Sequence, residues 1–190
     1  MGRCVDAACG TRTPTTAFGG AAAPRVFRLL VVVGALLFTP LLGCAAAPDA
    51  SRQLRTGDFQ LPVEQRECPT AALRDVVARV NSVRRGARVP ALRRDAGLVR
   101  AARARASSMA TGGRLSHAGW ERVVRAAGVH GQTLGENVAY NYSSAEKVMR
   151  GWLRSPGHRA NIVNASFRRV GVGCVVDATG KYWWVQDFGD

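Results

Sequence analysis

Lysine, histidine and long apolar runs are all scarce in this sequence, and each shortage narrows what it can do. Of 27 basic residues only two, Lys147 and Lys181, are lysine; set against 13 acids they leave a net charge of +14. That balance speaks loosely about partners: it suits an arginine-biased surface, and equally anionic lipid or acidic wall polymer. No basic run is interleaved with aromatics in the manner of a single-strand binding face. Zinc-finger spacing and RNA-binding signatures are missing as well, so nucleic acid is disfavoured as a partner. No apolar stretch reaches the roughly 20 residues of a membrane-spanning helix. Neither a G-x-S-x-G elbow nor an H-E-x-x-H motif is present, which removes two common hydrolase designs. Histidine occurs three times, as His117, His130 and His158.

What is present begins with an export pattern. Residues 1–25 mix Gly, Ala, Thr and Pro without periodicity, and no folded structure is expected there. Arg25 and Arg28 then precede an apolar run of fifteen residues, Leu29 to Gly43, broken only by Thr39 and Pro40. That length fits the hydrophobic region of a secretory signal. The run ends Leu41-Leu42-Gly43-Cys44, which resembles a bacterial lipobox, with Cys44 as the lipidated first residue of the mature chain and its membrane anchor. Ala45-Ala46-Ala47 offers ordinary signal-peptidase cleavage and free secretion instead. The segment before Arg25 is long for the start of a signal, so a start downstream of Met1 stays open. The organisation read here is a lipoprotein-type signal over 1–43, a tether over 44–68 and a domain over 69–190. Export also sets the cysteine arithmetic. Cys4 and Cys9 leave with the signal, while Cys68 and Cys174 remain as an even pair in an oxidising compartment and are expected to form a disulfide.

Periodicity organises the domain. Leu73, Val76, Val77 and Val80 mark one face of a helix that follows Pro69 and ends at Gly86. Asp95 is the expected N-cap of a second helix, in which Leu98, Ala101, Ala102 and Met109 face the core, Arg103 and Arg105 are exposed, and Gly112-Gly113 is the stop. A short helix follows from about Trp120 to Ala127. Leu134–Tyr140 reads as a strand in which Gly135 permits a close approach. Ser143 or Ser144 caps the next helix, which buries Val148, Met149 and Trp152. Ser155-Pro156 restarts a helix and puts His158 in its first turn, where the helix dipole favours a neutral imidazole. Val170, Val172, Cys174 and Val176 alternate with Arg169, Gly171 and Gly173, and Lys181–Phe188 returns as the partner strand after a turn at 177–180. Tyr182, Trp184 and Phe188 belong to the core, with Trp183 placed to reach a cleft. This order suits an α+β fold, a three-layer α-β-α sandwich.

Candidate chemistry rests on two imidazoles and a carboxylate, the groups that bind transition metals or move protons near neutral pH. His117, at a helix boundary, reads either as a ligand-contacting side chain or as a capping residue. Glu136 reads as a site carboxylate or as a cap of backbone amides, a role Asn137 can share. Arg159 and Asn161 are expected to hold the loop around His158. His130, between glycines in a loop, is assigned no role.

Several blocks, taken together and in order, resemble the CAP superfamily (cysteine-rich secretory, antigen 5 and pathogenesis-related 1 proteins, or SCP domains) in its short bacterial form. They are Leu115-Ser116-His117, Gly135-Glu136-Asn137-Val138-Ala139, and Trp152 through Ser155-Pro156-Gly157-His158-Arg159-Ala160-Asn161-Ile162. Val80-Asn81-Ser82-Val83-Arg84 and Val89-Pro90-Ala91-Leu92 precede them; Val170-Gly171-Val172-Gly173 and Tyr182 to Gly189 follow. The resemblance covers roughly residues 70–190. It implies the same α-β-α sandwich and a cleft lined by two His and two acids. His117, Glu136 and His158 match three of those four, whereas the fourth, a Glu three residues after the helix tryptophan, falls at Ser155. With two His and one carboxylate a zinc-like site could form, but a two-carboxylate acid/base pair has lost a member. The favoured reading is thus an exported, noncatalytic binding module of the cell envelope. Its cleft of His117, Glu136, Asn137, His158 and Arg159 would contact a lipid, glycan, protein or metal ion. The alternative is a metal-dependent hydrolase using His117, Glu136 and His158.

Overall fold

The computed structural model describes residues 2–4, 7–11 and 64–190. The apolar run, the lipobox with Cys44 and the tether up to residue 63 lie outside the described residues. The described residues belong to one compact unit.

In chain order the elements are β1 (Arg3–Cys4), β2 (Ala8–Thr11), β3 (Arg66–Glu67), α1 (Thr70–Gly86), β4 (Arg93–Arg94), α2 (Ala96–Gly112), α3 (Trp120–Ala126), β5 (Thr133–Tyr140), α4 (Ala145–Arg154), α5 (Pro156–Val163), β6 (Arg169–Val176) and β7 (Tyr182–Gly189). The sheet runs β1-β5-β7-β6-β3, with β2 also on β5 and β4 on β6. All pairs are antiparallel except β4 with β6. On one face α1, α4 and α5 bury Val76, Val80, Val148, Met149, Trp152 and Ile162 against Val170, Val172, Cys174 and Val176 of β6 and Trp184 and Phe188 of β7. On the other face α2 buries Ala102, Ala106 and Met109 against Val138, Val175, Trp183 and Val185. The α-β-α sandwich is therefore present, and the alternation along β6 sorts its two faces as expected.

Local chemistry explains the boundaries. Asp95 caps α2 by accepting from the Leu98 amide at 2.9 Å, and Gly113 ends it in the left-handed conformation that favours glycine. Ser144 is the cap of α4, accepting from Lys147 N–H at 3.2 Å. Pro156 occupies the first turn of α5, but Ser155 makes no side-chain capping bond there, and Pro69 sits at the N-cap of α1 rather than inside it. α2 lies very close to β6: a Cβ on Gly171 would fall on the backbone of Leu98 and Val99, and one on Gly173 on that of Ala102. Cys68 and Cys174 form the disulfide, joining the start of α1 to β6 across 106 residues.

Three expectations need correction. Segments of residues 1–25 are folded: Arg3 and Cys4 pair with Tyr140 and Ala139, and Ala8–Thr11 with Glu136–Thr133. A sheet edge recognises backbone N–H and C=O groups, so a strand can add there without side-chain periodicity. The end of the tether is also docked. Arg66 and Glu67 pair with β6, and the Gln65 side chain donates to the Ser107 carbonyl at 3.3 Å and to Thr111 Oγ1 at 2.9 Å. Arg105, expected on the exposed face of α2, is 6 % exposed and part of the interior.

Candidate functional site

Glu136 is the centre of the site. It sits on β5 between Gly135 and Asn137, and because successive strand residues point to opposite faces, Glu136 reaches the α2 side while Asn137 reaches the α4/α5 side. Gly135 is required where it stands, since a Cβ there would lie 2.7 Å from the Phe167 ring.

The carboxylate of Glu136 is fully buried and bonded at both oxygens. Arg105 donates from Nε to Oε2 at 2.9 Å and from a terminal nitrogen to Oε1 at 3.2 Å. His117 Nδ1 lies 2.8 Å from Oε1. Arg105 also donates to the carbonyls of Ser116 and Ala118, the residues on either side of His117. One guanidinium thus neutralises the buried acid and fixes the loop that carries the imidazole, as planar, fork-shaped donors do. With Nδ1–H directed at the carboxylate, His117 presents Nε2 as an acceptor, and this atom has no hydrogen-bond partner among the described residues.

A second carboxylate lies across the ladder. Asp187 of β7 is the register partner of Glu136, and directly paired residues of antiparallel strands share a face. It is completely buried, and neither carboxylate oxygen has a hydrogen-bond partner among the described residues. Burial pushes the Asp187 carboxyl well above the usual carboxylate range; the charge of Glu136 pushes the same way and Arg105 pulls against both. Ser155 at the expected fourth position therefore does not leave the interior with a single acid.

On the opposite face Asn137 donates from Nδ2 to the His158 carbonyl at 3.2 Å and to Gln186 Oε1 at 3.1 Å, and accepts from Asn161 Nδ2 at 3.0 Å. His158 is buried in the first turn of α5, as expected from Ser155-Pro156, and Arg159 beside it is exposed. The structure brings His117 and Glu136 together. It ties Asn137 to the His158 backbone and Asn161 to Asn137. His117, Glu136 and His158 do not assemble a metal centre: among the described residues no three His, Cys, Asp or Glu side chains are grouped to hold an ion. Glu136 is instead paired with Arg105 on the α2 side of the sheet, whereas the His158 backbone is bonded by Asn137 on the α4/α5 side.

Beside the His117 loop opens a cavity of about 330 Å³ whose lining includes Arg114, Leu115, Tyr140 and Trp183. The Tyr140 and Trp183 rings lie 4.4 Å apart between centroids, tilted by 50°. Trp183 thus reaches a cleft, its indole N–H held by Asp177 at 2.8 Å.

Residues 77–188 match the cysteine-rich secretory protein (CAP) family. The chain belongs to that family. An extracellular protein of Bacillus anthracis containing an SCP domain superposes on this CAP domain with a TM-score of 0.58 at 25 % identity, over 63 % of this chain and 40 % of that one. An outer surface protein of Borrelia burgdorferi shares the fold, with a TM-score of 0.59 at 16 % identity over 66 % of this chain and 97 % of the other. In sequence, YkwD of Bacillus subtilis is 37 % identical over 67 residues, 35 % of this chain and 25 % of that protein. The chain thus matches a quarter of that relative's length.

Two residues of the site escaped the sequence reading, although each carried a signal. Arg105 lies seven positions after Leu98 and three or four after Ala102 and Ala101, on the apolar stripe itself. Asp187 shares the parity of Trp183 and Val185 on a buried strand. A charge on a core stripe needs a partner, and these two charges share Glu136 as a neighbour.

Proposed function

We propose that this chain is an exported CAP-domain protein of the cell envelope that binds a ligand without turning it over. The observation that carries this reading is the state of Glu136: buried, neutralised by Arg105 and bonded to His117. A carboxylate so committed orients an imidazole and, closed off from solvent, is poorly placed to activate water or a substrate hydroxyl. The binding surface is the Tyr140–Trp183 cavity beside His117, with Arg114 on its wall. Paired aromatic faces next to a cation suit a glycan or lipid that carries an apolar face and an anionic group. Extracellular and outer-surface relatives of the same fold support export. The export signal over 1–43, with lipidation at Cys44, belongs to the same proposal.

The test is titration of the purified protein with anionic glycans and lipids, read by tryptophan fluorescence, alongside zinc content and hydrolase assays. Saturable binding that Trp183→Leu weakens by about tenfold or more, with no turnover and sub-stoichiometric zinc, is expected. Stoichiometric zinc lost in His117→Ala, together with metal-dependent turnover, would overturn the proposal in favour of a hydrolase.

A further inference from the structure

The outer edge of β5 carries more than a chance contact. β5 has β7 on one side. On its other side the backbone is covered by Arg3–Cys4 over Tyr140–Ala139 and by Ala8–Thr11 over Glu136–Thr133. Without those residues an eight-residue strand would present its N–H and C=O groups unpaired, a template for another chain.

Three features of the domain receive the added strand. Asn161, buried on α5, donates from Nδ2 to the Ala8 carbonyl at 3.1 Å, while the same nitrogen lies 3.3 Å from the Glu136 carbonyl and 3.0 Å from Asn137 Oδ1. One amide thus bridges β5 and the incoming backbone. At Gly157, in the first turn of α5, a Cβ would lie 3.6 Å from the Cβ and N of Ala7, so this end of the groove admits a small residue. At the other end the Tyr142 ring lies 2.6 Å from where a Cβ on Gly2 would be, and its hydroxyl accepts from the Cys4 thiol at 3.8 Å. These contacts read an extended backbone and small side chains.

We propose that the outer edge of β5 is a strand-acceptor site for an extended peptide with small residues at the positions of Gly2 and Ala7. Residues 2–4 and 7–11 of the chain are its intramolecular occupant. Pairing of this kind draws its affinity from main-chain hydrogen bonds and its specificity from the alternate side chains. A tethered occupant competes at high effective concentration, so the site stays closed to other peptides while the segment is attached. Cleavage of a leader ahead of Cys44 would remove the occupant and open the edge. The site adjoins the Tyr140–Trp183 cavity, whose wall includes Arg3 and Cys4 of the occupant, but it is built on the backbone edge of β5 and stands without the ligand proposed for that cavity.

Hydrogen exchange on the full chain in mild detergent tests this. Ala8→Pro/Cys9→Pro deletes a ladder donor whichever of the two residues supplies it. The outward-facing amides of Thr133–Tyr140 should then exchange about tenfold faster or more than in the wild type, with β6–β7 amides unchanged. A synthetic peptide of residues 2–12, with serine for its two cysteines, should restore protection in the proline variant and leave the wild type unaffected. Adding His117→Ala to the proline variant should leave that rescue intact. Unchanged exchange in the proline variant, exposure that the peptide does not rescue, or rescue that depends on His117 would each overturn the proposal.

Discussion

Asp187 is the residue whose state is least expected from its type. An acid with a raised folded-state pKa holds its proton longer folded than unfolded, so folding stability falls as pH rises from near the usual 3.8 towards the folded value. Asp187→Asn keeps the shape and removes the ionisation. The variant should gain stability over the wild type at pH 7, the gain shrinking towards nothing near pH 4, as read by denaturation at several pH values. A pH-independent difference would show that Asp187 does not titrate between its two states. At this scale the sequence was half legible. Glu136 and His117 stand out as polar residues in recognisable blocks, whereas Arg105 and Asp187 are single charges on stripes that look apolar around them. What hid them is that a buried charge is revealed by its partner, and the partner lies on another element 31 residues away in the case of Arg105 and Glu136. Arg84 is the same lesson in structural form. Fully buried, it donates to the carbonyls of Pro90, Ile162, Asn164 and Phe167, clasping the end of α1 to the connection between α5 and β6.

At the scale of elements, helices and strands were readable because each obeys a local rule. Asp95 and Ser144 cap, Gly113 stops, and the alternation of β6 separates its faces. The small face of that alternation has a sharper meaning in the structure than in the sequence: Gly171 and Gly173 let α2 approach backbone to backbone. Gly171→Ala would force α2 away from β6 and should cost about 3 kcal/mol or more. Gly86→Ala is the matched control, since nothing lies within 4 Å of the added methyl, and chemical denaturation should find it near neutral. Equal midpoints for the two variants would mean that α2 shifts freely on the sheet. β1 and β2 were the elements no local rule could announce, because their pairing is written in the bare edge of β5.

The whole domain is held by one long covalent closure as well as by packing. In the chain-entropy account a bridge spanning 106 residues contributes about 4 to 5 kcal/mol, so Cys68→Ala/Cys174→Ala should lower the denaturation midpoint by a matching amount. An unchanged midpoint would place all the constraint in the core. The order of the sheet adds a consequence in time. β7 lies between β5 and β6 yet is synthesised after both, so neither neighbour meets its main partner until residues 182–189 have been made. During that interval nascent β5 and β6 are two separate ribbons, each open along a flank, and the two longest pairings of the sheet, β5 with β7 and β6 with β7, wait on one segment. A ribosome or translocase delivering this chain therefore presents a sheet without its middle until residues 182–189 have emerged.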